Sequence, residues 1–252
     1  MPKVSHTLVA KAEIAPHVLV LTFATTSNVK SKAGQFCSFE IAHRTMRSYS
    51  YMENNQAESY IKTSLPKLPT GQVYASFLIS TKSIGLGSDF FREIQIGQSV
   101  EGFQCLGKFG LTGSDKVKNF VCTGTGLAPI IPMILYNAKG NPNVPMRLFF
   151  GTSFDVGDFV RDYFVCLKDL KLLELYTGFF PVLIPTETKY EKNATVTQIL
   201  PTVISDYTNE EFYLCGNPFM VADVNQLLKS HGATAIFQEN FGTLPAPAPA
   251  VL

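Results

Sequence analysis

Four short segments of this 252-residue chain carry side chains or turns suited to phosphate groups and a flat aromatic ring. In Arg47-Ser48-Tyr49-Ser50 the guanidinium fork can clamp a phosphate. Tyr49, two residues along the same strand, points the same way and can cover a ring, whereas Ser50 points oppositely unless the strand bends. Gly85-Leu86-Gly87-Ser88 precedes a helical pattern beginning near Asp89, where free backbone N–H groups can hold a second phosphate. Gly124-Thr125-Gly126 lies between a strand and a helix, where glycines let the backbone approach a phosphate closely. Cys215-Gly216-Asn217-Pro218 ends another strand, and ligands of open α/β sheets bind beyond such carboxyl ends. Taken singly, each segment has an ordinary structural reading: a solvated arginine, a core tyrosine, a serine cap, a plain turn, a small buried thiol. Only their combination points to chemistry.

The elements that must position these segments fall into two rhythms. Val18–Phe23, Gln35–Ile41, Ala75–Ser80 and Ser99–Phe103 are short strand-like runs separated by Gly, Asn and Ser turns. They predict a closed antiparallel barrel, with one helical interruption over Ser88–Ile94 and the Arg47 segment at the end of a barrel strand. The second half alternates. Strands are expected at Asn119–Cys122, Met146–Gly151, Leu172–Tyr176 and Glu211–Gly216, and helices at Pro129–Ala138, Asp158–Leu167 and Pro218–His231. That order predicts a doubly wound parallel sheet. The polar cluster Gly113-Ser114-Asp115 marks the seam, giving a barrel domain over 1–113, an α/β domain over 114–243, and a Pro/Ala tail over 244–252. The Asn-, Ser- and Pro-rich stretch Asn54–Gln72 reads as an elongated loop or hairpin.

Composition narrows the classes. Apolar residues make up 46% and charged residues 16%, as in a folded enzyme, and the formal charge of +1 points to neither nucleic acid nor an anionic membrane. No apolar leader follows Met1, and the Asn119–Tyr136 stretch is broken by glycines and prolines, so no membrane insertion is expected. The five cysteines fall into no C-x-x-C cluster and the four histidines are scattered, so no metal centre is expected. Scattered thiols fit a reducing cytoplasm.

Read together, the segments resemble the ferredoxin–NADP reductase family, a branch of the flavin reductase-like superfamily. Gly34-Gln35-Phe36 is similar to its G-Q-F/Y strand opening, Arg47-x-Tyr49-Ser50 to its R-x-Y-S/T flavin motif, and Gly85-x-x-Ser88 to its G-x-x-S/T motif. Gly97-Gln98-Ser99-Val100, Gly124–Pro129, Cys215–Pro218 and Glu239-Asn240-Phe241 resemble further family motifs, in family order over nearly the whole chain. Three departures stand out. Cys105–Phe109 replaces the proline-rich stretch before the second domain, Asn54–Gln72 looks longer than in compact members, and a tail follows Phe241.

The resemblance implies a flavin-binding barrel and a nicotinamide-dinucleotide domain, with FAD rather than FMN as the cofactor and NADH or NADPH as a diffusible co-substrate. It assigns Arg47, Ser48, Tyr49, Ser50, Gly85, Gly87, Ser88, Thr125 and Phe241 to the flavin, and Gly124, Thr125, Gly126, Pro129, Cys215, Gly216, Asn217 and Pro218 to the dinucleotide. Ser50, Cys215 and Glu239 would stand beside the atoms that exchange hydride, nicotinamide C4 and flavin N5. Asp155 favours NADH, while Lys189 and Lys192 pull toward NADPH. The implied partner is a one-electron carrier such as ferredoxin or flavodoxin. Alternatives are the reductase component of an oxygenase, a free-flavin reductase, and a non-catalytic subunit that keeps the fold.

Overall fold

The computed structural model describes residues 2–26, 31–61, 65–151, 167, 170, 173–178, 188–191 and 194–240. Six antiparallel strands form the first unit: β1 (Val4–Ala15), β2 (Val18–Thr26), β3 (Phe36–Ala42), β4 (Thr45–Met52), β5 (Gln72–Ser80) and β6 (Ser99–Leu106). They close into a barrel in the order β1-β2-β5-β4-β3-β6. Closure leaves no strand edge to pair with another chain. Phe23, Phe39, Phe77 and Ile79 fill the interior, and Phe91 of helix α2 (Leu86–Glu93) packs into the same cluster.

Strand β2 is buried on both faces, which explains its unbroken apolar run. Leu19, Leu21 and Phe23 belong to the barrel interior, while Val18 and Val20 join an outer cluster shared with the second unit. Helix α1 (Asn54–Tyr60) enters that outer cluster through Ala57, beside Met52 and Leu78. The expected loop over Asn54–Gln72 is therefore helical in its first third, because packing against the barrel outweighs the weak helix propensity of the asparagines and serine.

The second unit is a six-stranded sheet. Its strands are β7 (Lys118–Thr123), β8 (Met146–Gly151), β9 (Leu173–Gly178), β10 (Thr188–Glu191), β11 (Glu211–Gly216) and β12 (Ala235–Asn240). Every pairing is parallel, in the order β10-β9-β8-β7-β11-β12. Side chains alternate between its faces with period two. Phe120, Cys122, Leu148, Phe150, Tyr213 and Cys215 pack toward α3 (Leu127–Gly140). Val121, Phe149, Phe212 and Leu214 pack toward α4 (Val196–Val203) and α5 (Pro218–Ser230). Helix α3 is apolar nearly all round because it lies between the sheet and the outer wall of the barrel. Gly34 sits at this junction: a Cβ there would come within 2.2 Å of both the Phe109 carbonyl oxygen and the Met133 methyl.

The antiparallel barrel and the parallel doubly wound sheet agree with the fold class expected. Differences are local. The Arg47 segment lies in the middle of β4, and β1, β10, α4 and β12 add to the expected elements. The helix expected over Asp158–Leu167 lies, apart from Leu167, outside the described residues.

Candidate functional site

On β4, Arg47 and Tyr49 project to the same side, as the strand period requires. Their side chains lie over Gly87: a Cβ at that glycine would sit 2.7 Å from Tyr49 Oη and 3.2 Å from Arg47 Cγ. The Tyr49 ring is held edge-on against Phe91 with centroids 4.9 Å apart. Burial pushes its phenol up to about 12, so the ring is neutral at any ordinary pH. The exposed Arg47 guanidinium donates to the Met46 carbonyl and forms no ion pair among the described residues. A free cation thus stands beside a held ring.

Ser48 points away from these two and donates to Ser38 Oγ across the strand pair at 3.2 Å. Its side chain belongs to the barrel wall rather than to the Arg47–Tyr49 face. Ser50 pairs with Phe36 of β3; its hydroxyl is buried and has no hydrogen-bond partner among the described residues. An orphaned hydroxyl costs about 1–3 kcal/mol, which a bound acceptor or donor would relieve. Behind Gly87, α2 starts at Gly85 without any side chain capping its first N–H groups. Ser88, one turn in, shares a 3.0 Å hydrogen bond with Ser83. A cation, an aromatic face and an uncapped helix start gathered at Gly87, with an orphaned hydroxyl on the opposite face of the same strand, fit a flavin with its phosphates.

The other half lies at the carboxyl ends of β7 and β11, where the strand order reverses. A Cβ on Gly126 would meet the Cys215 carbonyl oxygen at 2.4 Å, and one on Gly216 would meet Thr123 Oγ1 at 2.5 Å. The Gly124–Gly126 turn and the Cys215–Gly216 strand end are therefore in backbone contact. Asn217 caps α5 by accepting from the Phe219 N–H, and Pro218 opens the helix. Its own N–H donates to Thr123 Oγ1 at 2.9 Å. Thr125 is partly exposed at the mouth of this junction, whereas Pro129 is buried in α3.

Cys215 is fully buried. Burial pushes its thiol well above the usual range, with Cys122 and Glu239 adding to the shift. It is a neutral filler, not a thiolate. Register places it between Cys122 on β7 and Glu239 on β12. Burial also raises the Glu239 carboxyl. Its Oε2 lies 3.7 Å from a Cβ built on Gly107, just past β6, and Phe36 Cε1 lies 2.8 Å from the same point. Glu239 and Phe36, the strand partner of Ser50, thus meet at Gly107, where the halves join. Phe241, Asp155 and Lys192 lie outside the described residues.

Among the described residues no cysteine is in a disulfide, no group of His, Cys, Asp or Glu could hold a metal ion, and no helix is long and apolar enough to cross a membrane. Sequence reasoning missed two contributors. Thr123 stands directly before the glycine turn, and a hydroxyl at the end of a buried strand was its only signal. Tyr51 receives the Cys105 N–H at 3.4 Å and so ties the departing Cys105–Phe109 stretch to β4, a contact no local pattern encodes.

Residues 120–226 match the oxidoreductase NAD-binding domain family. The chain is 26% identical over 226 residues to the toluate 1,2-dioxygenase electron transfer component of Pseudomonas putida, covering 83% of this chain and 63% of that protein. It is 25% identical over 239 residues to the glycine betaine monooxygenase reductase subunit of Chromohalobacter salexigens, covering 85% and 57%. The chain thus spans less than two thirds of these curated relatives. A ferredoxin NADP+ reductase from Neisseria gonorrhoeae with bound FAD and NADP superposes with a TM-score of 0.72 at 18% identity, covering 96% of this chain and all of that one. Amycolatopsis cytochrome P450 reductase GcoB gives 0.75 at 18%, covering 95% and 69%. These superpositions establish the shared two-unit fold.

Proposed function

We propose that this chain is a flavoprotein reductase of the ferredoxin–NADP reductase kind, exchanging hydride with NAD(P)H and single electrons with a carrier. The observation that carries this reading is a pair of cradles, one at Gly87 beneath Arg47 and Tyr49 and one at Gly126–Cys215, with Glu239 of the second unit reaching Gly107 of the first. When bound, FAD supplies the two-electron to one-electron conversion.

The chain's own groups bind, orient and exclude water. Arg47, Gly85, Gly87 and Ser88 hold the flavin phosphates through the guanidinium and the N–H groups at the start of α2. Tyr49 covers the ring and Ser50 offers its unpartnered hydroxyl to the ring edge. Gly124, Thr125, Gly126 and the start of α5 hold the dinucleotide. Cys215 fills the floor as a neutral thiol. Glu239, whose carboxyl pKa is raised by burial, stands beside the joint. Barrel residues 1–113 form the flavin unit and 114–243 the dinucleotide unit. Asp155 favours NADH as the donor. The thiols, none of them in a disulfide among the described residues, support a reducing, cytoplasmic setting.

Two readings of the electron partner stand. The family points to a ferredoxin or flavodoxin. A specific observation favours an oxygenase: three curated relatives are electron-transfer or reductase components of oxygenases, of which this chain spans 63%, 57% and 60%. The test is a visible spectrum of the purified protein, followed by turnover with NADH and NADPH against ferredoxin, flavodoxin, free flavin and ferricyanide. A yellow protein that oxidises either nucleotide supports the proposal, and the acceptor used fastest separates the readings. A colourless protein that takes up no added FAD overturns it in favour of a non-catalytic subunit.

A further inference from the structure

We propose that Thr123 is a positioning residue for the dinucleotide crevice: its hydroxyl fixes the gap between the Gly124–Gly126 turn and the Gly216–Asn217 turn. The inference rests on the dinucleotide reading of that crevice.

The β7–β11 ladder ends at the Cys122–Cys215 pair. One step further, β7 continues only its pairing with β8, through Thr123 and Gly151. The backbone of β11 meanwhile turns at Gly216, whose φ of 132° takes the chain out of strand geometry and into α5. At this point main-chain pairing no longer determines how far the two turns stand apart. A side chain takes over: Thr123 Oγ1 accepts the Asn217 N–H at 2.9 Å.

The fit around it is close on three sides. A Cβ added to Gly216 would lie 2.5 Å from Thr123 Oγ1 and 2.6 Å from the Thr123 carbonyl oxygen, and one added to Gly151 would lie 3.2 Å from Thr123 Cγ2. Thr123 therefore touches the ends of β8 and β11 as well as opening the glycine turn on its own strand. The two glycine turns lie side by side at the strand ends that would receive the dinucleotide, so their relative placement decides how well a diphosphate and its nicotinamide seat over them. Thr123 itself is only partly exposed, which suits a residue acting through the peptide it holds.

Valine in place of threonine keeps the shape and replaces the oxygen with a methyl. A methyl cannot approach a peptide nitrogen closer than about 3.5 Å, so Gly216–Asn217 must retreat by roughly half an ångström and lose its hydrogen bond. Serine keeps the hydroxyl and loses only the methyl that faces Gly151.

The test uses the full chain with its flavin, comparing wild type, Thr123→Val and Thr123→Ser. Steady-state rates are read against NADH and NADPH with ferricyanide as acceptor, alongside flavin content and exchange of the Asn217 amide proton. Thr123→Val is expected to raise KM for the nicotinamide nucleotide about tenfold, the loss of one hydrogen bond, with a smaller change in kcat and unchanged flavin content. Its Asn217 amide exchanges faster, and Thr123→Ser restores both readouts. An unchanged KM in the valine variant, or a serine variant as impaired as the valine one, overturns the role of the hydroxyl. A wild-type protein that is yellow yet binds no nicotinamide nucleotide overturns the reading of the crevice itself, and with it this inference.

Discussion

The two halves of the candidate site are built by opposite means. On the barrel side, side chains do the holding: the Arg47 guanidinium, the Tyr49 ring and the orphaned Ser50 hydroxyl stand on one strand, and Gly87 keeps room beneath the first two. On the sheet side, backbone meets backbone. Gly126 lies against the Cys215 carbonyl and Gly216 against the backbone and hydroxyl of Thr123, so neither glycine leaves room for a Cβ. A surface of several specific side chains suits a ligand that stays, since each contact adds to retention. A shallow crevice of turns and helix starts suits one that comes and goes, because few groups must be released on each cycle. The contrast can be broken by removing one feature from each side and asking whether the two binding events separate.

The largest effect is expected from Gly126→Ala. The added methyl overlaps the Cys215 carbonyl at 2.4 Å, and both neighbours are backbone, so the turns must part. Displacement on the order of an ångström lowers kcat/KM for NAD(P)H by about a hundredfold. Flavin content should hold, because the barrel is untouched. Loss of flavin in this variant would mean that the halves do not bind independently. Gly124→Ala is the control: nothing lies within 4 Å of its Cβ, although its φ of 54° makes alanine mildly strained, so its effect should be clearly smaller.

Tyr49→Ala attacks the other half. Removing a largely buried ring beside Phe91 deletes about 1.5–3 kcal/mol of contact, so flavin dissociates roughly ten- to a hundredfold more readily. Fluorescence of released flavin reads this directly, while calorimetric titration with NAD+ or NADP+ should be unchanged. Unaltered flavin retention and turnover would remove Tyr49 from the site. Ser50→Ala is subtler and has two signs. Without flavin, deleting an unpartnered buried hydroxyl should leave thermal stability equal or raise it by about 1 kcal/mol. With flavin, the same change should slow hydride exchange about tenfold. A loss of stability in the flavin-free protein would show that Ser50 has a structural partner.

The same contrast explains what could be read from the sequence. The sheet side was legible because its signals are local. A strand such as Glu211–Gly216, buried on both faces, ends in a turn and a Pro-opened helix within a few residues. The barrel side was legible in four of its strands and in its motifs, but not in β1 or α1. Strand β1 buries His6, Leu8 and Ala10 in alternation, but one inward position is polar and two bulges interrupt the register, and the reason His6 can face the interior is a partner nearly a hundred residues away, Gln104. Helix α1 forms because Ala57 meets Val18 and Leu78, which no window of its own sequence reveals. Helix α4 is a different case. Its Thr195-x-x-Gln198 capping box is a local signal, and the sequence reading passed over it. The Glu239–Gly107 meeting joins the halves, and contacts between distant segments leave no trace in spacing.

Acid should separate the halves by the smallest but most general of these effects. In the barrel, buried His6 accepts from Gln104 at Nε2, so its Nδ1 proton goes to the Val4 carbonyl and the ring is neutral. Burial lowers its pKa below the ordinary 6.5. The unfolded chain then takes up a proton that the folded barrel refuses, so this contribution is complete above 6.5 and fades as pH falls below it. In the sheet unit, burial works against the Glu211 charge. Hydrogen bonds from Lys118, Thr112, Ser114 and Tyr213 outweigh it and hold the carboxyl down at about 2. That contribution is complete above the ordinary 4.5 and is lost only as pH falls through about 2. Between pH 6 and pH 4.5, on the order of a unit either way, the barrel should therefore loosen while the sheet holds. Amide protection, that is exchange corrected for the intrinsic slowing of amide exchange in acid, compared at neutral pH and in that window tests it, with Leu8 and Phe23 reporting the barrel and Val121 and Tyr213 the sheet. Faster exchange at the first pair alone matches the His6 geometry, and equal acceleration at both would mean that the shared α3 core makes the two units unfold as one.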